Sequence, residues 1–275
     1  MYLRAWQAVA LITIVSIGVT LAQIPSDTWL SSAALSLSMG VAAAALMGAA
    51  ATLGGRLRFV ESLFGGLDRV YLAHKWMAVY ALVFASIHFT FKAGLPSWET
   101  ASIVAFPGPW TRLVRQLSLV ALMLIVVLAL NRKIPYHRWR WWHKLSGPLF
   151  VIVILHWLSF KSPIALSSSA GMWLAMWSAL GVLAAFYKLV LYPFLAPQAE
   201  YRVVHIDAGS GALHLELEPV KHPIAFTPGQ FAFLSVREDG LREPHPFTIA
   251  GAPDEKGHVH FVIRSLGDYT QRLIA

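Results

Sequence analysis

Leu72–Ala93 reads LAHKWMAVYALVFASIHFTFKA. It is an apolar run of about the 20 residues that a helix needs to cross a bilayer, and it carries two histidines, His74 and His88. Their separation of fourteen residues is about 21 Å along a helix axis and only about 40° around it. Both imidazoles therefore share a face, one near each end of the span. An ionisable side chain inside a span is costly, so it needs a partner or a function.

A later stretch supplies matching residues. His143 lies just ahead of the apolar run Leu145–Phe160, and His156 lies within it. Thirteen residues separate these two, which an ideal helix would place about 140° apart. A distortion is required. Gly147 and Pro148 lie between them, and proline in a helix kinks it or frees backbone groups. Alternatively, His143 sits in the first turn or before it. The two stretches run in the same direction across the membrane, so His74 is expected to face His143 and His88 to face His156. Neutral imidazole is a good haem-iron ligand, and a bis-imidazole iron has no open site for oxygen. One membrane histidine alone is often a helix–helix hydrogen-bonding residue. Two matched pairs on parallel helices favour two haems. His137, in a basic loop, is expected to be solvated.

Six apolar segments are drawn: Ala5–Ala22, Ala33–Leu53, Leu72–Ala93, Val114–Leu130, Leu145–Phe160 and Met172–Leu195. Pro25, Pro96, Pro107, Pro109, Pro135 and Pro163 fall between them, where breakers belong. Arg4 ahead of the first segment resembles the start of a signal peptide. That apolar run is longer than a usual signal core and five more follow, so it is read as a retained helix. The chain has 275 residues, 57% hydrophobic and 13% charged, and its apolar residues concentrate before residue 196. The net charge of +8 sits mostly in short loops, which is a pattern of membrane topology. No basic run suggests a nucleic-acid partner. Without cysteine the chain supplies no disulfide, thiolate zinc site or Fe–S ligand, so redox chemistry must use a bound cofactor.

Arg4, Arg56, Arg58, Arg69, Arg132, Lys133, Arg138, Arg140 and Lys144 fall on one side of the six segments. Lys92, Arg112, Arg115 and Lys161 fall on the other. The richer side is expected to be cytoplasmic, in a plasma or bacterial inner membrane, with the N-terminus and the C-terminal region there too. Trp139, Trp141 and Trp142 sit where indole rings settle at the interface.

After Pro197 the texture changes. Tyr201–Ile206 and Ala212–Leu217 alternate around Gly209–Ser210–Gly211 and read as a hairpin. Phe231–Val236, Phe247–Ile249 and Val259–Ile263 are further short strands, and such spacing suggests a small barrel. The expected fold is a mainly α membrane protein: a six-helix transmembrane bundle over residues 1–196, then a partial small antiparallel β-barrel over residues 197–275.

Two stretches carry a family resemblance. Leu67–Lys92, with Leu67-Asp68-Arg69 leading to His74-Lys75-Trp76 and His88, resembles the third helix of the ferric reductase and NADPH oxidase family. Ile134-Pro135-Tyr136-His137-Arg138-Trp139, continuing through His143-Lys144-Leu145-Ser146 to His156, resembles its fifth, and the family uses the same fourteen and thirteen spacings. In the C-terminal part, Pro228-Gly229-Gln230-Phe231 resembles a strand-entry motif of the family's flavin domain. His245-Pro246-Phe247-Thr248 resembles its flavin signature, and Arg264 with Gly267-Asp268-Tyr269-Thr270 resembles a second one. The resemblance implies that the first signature lies against the isoalloxazine ring and the second contacts the pyrophosphate. The chemistry agrees: Thr248 offers a hydroxyl, Arg264 a fork suited to phosphate and Gly267 a close backbone approach.

The resemblance therefore implies two b-type haems on His74, His143, His88 and His156. It also implies FAD on the C-terminal part, with NAD(P)H as donor and a ferric chelate or oxygen as acceptor on the outer face. Family members continue into a last barrel strand and a nucleotide domain. Here the sequence ends at Ala275 with no Gly-rich dinucleotide fingerprint, which reads as a fragment. The NAD(P)H site is then expected in a missing domain or on a partner reductase. Two alternatives stand beside this one. One is a quinone- or flavin-linked haem b subunit that passes electrons to a partner reductase. The other is a non-enzymatic transporter or scaffold, which predicts a colourless protein.

Overall fold

The computed structural model describes residues 2–131, 133–195, 198–209, 211–226 and 230–274, with backbone alone at residues 58, 122, 126, 127, 129, 130, 136, 137 and 193. The boundary residue Pro197, loop Arg132, hairpin Ser210, Pro228 and Gly229 of the strand-entry motif, and the side chains of Arg58 and His137 lie outside what is described. The chain folds as two compact units, Met1–Leu195 and Ala196–Ala275. It is mainly helical with some antiparallel sheet.

The first unit contains α1 (Ala5–Leu21), α2 (Ser32–Gly54), α3 (Arg58–Phe64), α4 (Leu67–Thr90), α5 (Gly108–Leu130), α6 (Tyr136–His143), α7 (Ser146–Ser159), α8 (Ser169–Phe186) and the short α9 (Tyr192–Leu195). By length and composition, three described helices can cross a membrane: Ser32–Gly54, Leu67–Thr90 and Ser169–Leu191. Ala5–Leu21 is apolar but shorter. Large apolar side chains such as Leu11, Ile14, Val83 and Leu183 stay exposed, a surface that water would not tolerate over several contiguous helices.

Three of the departures from the expected boundaries have a clear local reason. Helix α4 begins at Leu67 because Gly65 and Gly66, at φ 82° and 145°, break the chain just before it. Helix α5 begins at Gly108, six residues before Val114, since Pro109 in a first turn forfeits no helical hydrogen bond. After α8 comes a π-helical turn, Tyr187–Leu191, just ahead of Pro193, which has no N–H to continue an α ladder.

Helix α2 is the centre of the unit. Most of its residues are buried, and it packs against α1, α4 and α8. Its sequence, SAALSLSMGVAAAALMGAAATLG, is dominated by small side chains that let neighbouring backbones come close. A Cβ added at Gly48 would run into the Trp177 carbonyl, and one at Gly181 would lie 3.0 Å from Gly48 Cα. Here α2 and α8 touch backbone to backbone. Ser31 caps α2 by accepting the Ala34 N–H, and Ser168 caps α8 by accepting that of Gly171.

The second unit holds β1 (Tyr201–Gly209), β2 (Ala212–Pro219), β3 (Phe231–Leu234), β4 (His245–Thr248), β5 (Val259–Arg264) and α10 (Asp268–Ile274). The strands form two antiparallel sheets, β1-β2-β5 and β3-β4, linked by an Ile249–Phe261 bridge. Leu213, Leu215 and Leu217 of β2 pack with Val259, Phe261 and Ile263 of β5 and with Ile249. That alternation is the period-2 pattern of a strand with one buried face.

Candidate functional site

Helix α4 holds His74 and His88. Opposite them, His143 is the last residue of α6 and His156 lies in the last turn of α7. The His74 and His143 ring centroids are 5.9 Å apart with planes at 83°. Those of His88 and His156 are 6.3 Å apart at 79°. First meets first and second meets second, so α4 and α7 run in the same direction.

The awkward spacing of thirteen is resolved by a break. The helix stops at His143, Lys144 and Leu145 bond back three residues to Trp141 and Trp142, and a new helix starts at Ser146. Pro148 thus falls in a first turn, where its missing N–H costs nothing. An unbroken helix would have driven its ring against the Lys144 carbonyl.

Two imidazoles that grip one metal from opposite sides, each about 2.0 Å from it and with each centroid about 1.1 Å behind its ligating nitrogen, stand roughly 6 Å apart. Both pairs meet that spacing. The tautomers agree as well. His74 Nδ1 lies 2.7 Å from the Ala50 carbonyl, and His88 Nδ1 lies 2.9 Å from that of Ser36. A carbonyl only accepts, so each Nδ1 carries the proton and each Nε2 keeps a lone pair for a metal. The Ser36 hydroxyl reaches the carbonyls of His88 at 3.0 Å and Phe91 at 2.7 Å, holding the end of α4. His143 stacks on Trp139, 4.6 Å between centroids at 12°. His156 Nδ1 is buried with no partner among the described residues. No group of three or more potential metal-binding side chains occurs among the described residues. Donors in twos could hold a group that brings most of its own ligands, such as a haem.

The flavin-type motifs converge in the second unit. The His245 ring stacks on Tyr269 at 3.7 Å and 24°, and Phe247 lies 6.4 Å from Tyr269. The Tyr269 hydroxyl donates to the Leu241 carbonyl at 3.1 Å. Burial, with the Glu243 charge nearby, pushes this phenol above its ordinary pKa, so it stays a donor. Thr248 and Arg264 are exposed at strand ends. Thr270 Oγ1 accepts the N–H groups of Leu266 and Gly267, each at 3.0 Å, and so shapes the loop after Arg264. Tyr269→Phe keeps the stack and loses one hydrogen bond, an expected cost of about 1 kcal/mol in thermal unfolding. Tyr269→Ala also loses the ring and should cost about 3 kcal/mol. Equal stabilities of the two variants would remove the stack as a support of this site.

Residues 39–154 match the ferric reductase like transmembrane component family, and residues 199–275 match an FAD-binding domain family. The chain therefore holds a ferric reductase like transmembrane domain followed by an FAD-binding domain. It is an integral membrane protein with an FAD-binding domain at its C-terminal side. The family match takes in His74, His88 and His143 and stops two residues before His156. Ferric/cupric reductase transmembrane component 7 of Saccharomyces cerevisiae is 21% identical in one strain and 20% in another, over 257 residues and 87% of this chain. The chain spans 39% of the length of these relatives. Among solved structures it is similar to a flavohemoglobin from Malassezia yamatoensis with bound FAD and heme. That likeness has 14% identity and covers 94% of this chain and 60% of the other. Its TM-score of 0.32 is too low to establish a common fold.

Around the histidine pairs the first unit also uses residues without a motif of their own. Ser36, Gly40, Ala50 and Gly54, all on α2, close over the α4 histidines. A Cβ at Gly40 would lie 2.7 Å from His88 Nδ1. The signal was present as a run of small residues in α2, but nothing in it named the histidines as its neighbours.

Proposed function

We propose that this chain is the membrane part of an oxidoreductase that moves electrons across a plasma or bacterial inner membrane. In this proposal six helices span the bilayer, the N-terminus and the FAD domain are cytoplasmic, and the C-terminal strands are part of a small antiparallel barrel. NAD(P)H is the donor, bound in a further domain or on a partner reductase. The acceptor, a ferric chelate or oxygen, is met on the outer face.

The observation that carries the proposal is the pair of matched histidine couples, at 5.9 and 6.3 Å between rings, in a ferric reductase like region followed by an FAD-binding domain. His74 with His143 would hold an inner haem b, and His88 with His156 an outer one. When bound, FAD exchanges a hydride for single electrons and each bis-histidine haem passes them singly. The protein's own part is position and environment. The Ala50 and Ser36 carbonyls fix the α4 imidazoles in the tautomer that leaves Nε2 free. The packed small residues of α2 exclude water from that side. In the second unit, Pro246, Phe247 and Thr248 would lie along the flavin, with His245 held in place by Tyr269. Arg264, Gly267 and Thr270 would form the loop that meets its pyrophosphate.

The test is an optical spectrum of the detergent-purified chain, oxidised and dithionite-reduced, with pyridine haemochrome quantitation. Two low-spin b-type haems per chain are expected. A colourless protein, purified from cells with ample haem, would sink the proposal and favour a transporter or scaffold.

A further inference from the structure

Three cations from distant parts of the chain meet at the end of the bundle that carries His74 and His143. Arg56 lies two residues past the end of α2, Arg140 lies on α6 and Lys188 lies on the π turn after α8. Arg56 and Lys188 share one ring: Lys188 Nζ lies 3.2 Å from the Tyr192 centroid and Arg56 Cζ 5.9 Å from it. The charges of both Arg56 and Arg140 bear on Lys188. All three side chains are half-buried, whereas topogenic loop charges stand apart in water. No carboxylate pairs with Lys188 among the described residues.

The backbone is bent to this arrangement. Arg56 has φ 56°, a left-handed conformation that an L-residue adopts at a cost, and its Nε donates to the Tyr71 hydroxyl at 2.6 Å. Lys188 sits in the π turn, a local widening often found at functional sites. Like charges drawn together in a medium of low dielectric repel strongly, and an anion among them reverses the sign of the interaction. The cluster also lies close to one histidine pair. Gly54, two residues before Arg56, packs 3.7 Å from the His74 ring as measured from an added Cβ. Tyr71 is one turn before His74, and Arg140 is three residues before His143.

We infer that Arg56, Arg140 and Lys188 form a binding site for an oxyanion, a carboxylate or phosphate group. Two molecules carry such a group at this depth. One is a haem held by His74 and His143, through its carboxylate side chains, a source that rests on the function proposed above. The other is an anionic phospholipid at the membrane surface, which does not rest on it.

The experiment compares the parent chain with Arg56→Gln/Lys188→Gln and with the charge-preserving Arg56→Lys/Lys188→Arg. Each is purified in detergent for haem content and midpoint potentials. Each is also melted in nanodiscs of phosphatidylglycerol and of phosphatidylcholine, with the retained phospholipid quantified. If the haem is the source, the glutamine variant loses haem or shows a lower midpoint potential at one haem only, because nearby cations favour the reduced form. If the lipid is the source, the preference for phosphatidylglycerol falls by about fivefold for each cation removed. In either case the charge-preserving variant restores the parent's behaviour. Haem and lipid readouts both at parental values would overturn the site, as would a charge-preserving variant as defective as the glutamine one. A parent without haem would end the proposed function, and the lipid arm would still decide this site.

Discussion

A His88→Ala chain is expected to carry one b-type haem in place of the two proposed for the parent. His88 and His156 face each other at 6.3 Å, and alanine removes one of the two imidazoles that would hold the outer iron. His156 is left as a lone imidazole with a partnerless Nδ1, too little to hold a low-spin iron. The other pair lies about 21 Å away along the helix, with its own support from Ala50 and Trp139, and effects at that separation are close to independent. Pyridine haemochrome analysis should therefore fall to half, and the remaining haem should keep its low-spin spectrum. His74→Ala should give the complementary half. Unchanged haem content in His88→Ala would refute the assignment of the outer pair. Loss of both haems would show that the pairs fold as one unit.

The histidine pairs were legible in the sequence because helical geometry is regular. Fourteen residues on one helix fix both a rise and an angle, and a second helix with similar spacing supplies the partners. The thirteen-residue interval was legible as a conflict with Gly147 and Pro148 inside it, whereas its solution as a full break between two helices is seen only in the fold. Helix α2 was harder. Alanine, glycine and serine advertise close packing but not the identity of the packed neighbour, so the carbonyls of Ser36 and Ala50 could not be assigned. The sequence also placed Tyr269 only as one letter of a flavin-type motif. Its stack on His245 joins β4 to α10, a tertiary contact with no local signature. Helix α10 has no signal of its own in the sequence, since its seven residues are too few to show a helical period.

Gly40→Ala and Gly54→Ala should behave oppositely, although both add one methyl to the same face-lining helix. At Gly40 the new Cβ would stand 2.7 Å from His88 Nδ1 and 3.0 Å from Cε1, closer than carbon and nitrogen tolerate. The ring cannot simply swing aside, because Nδ1 is held by the Ser36 carbonyl and Nε2 must face His156. Either the hydrogen bond or the axial geometry gives way, and disturbing such an outer contact typically weakens a metal site on the order of tenfold. At Gly54 the nearest atoms are His74 Cε1 at 3.7 Å and Nδ1 at 3.8 Å, ordinary van der Waals contact. There the methyl fills space, and alanine improves helix propensity by up to about 1 kcal/mol. Haem retention during dilution and gel filtration, together with melting temperature, reads both. The expected result is partial loss of one haem in Gly40→Ala, with parental haem content and equal or higher stability in Gly54→Ala. Equal retention in the two variants would mean that α2 packs beside the histidines without setting their position.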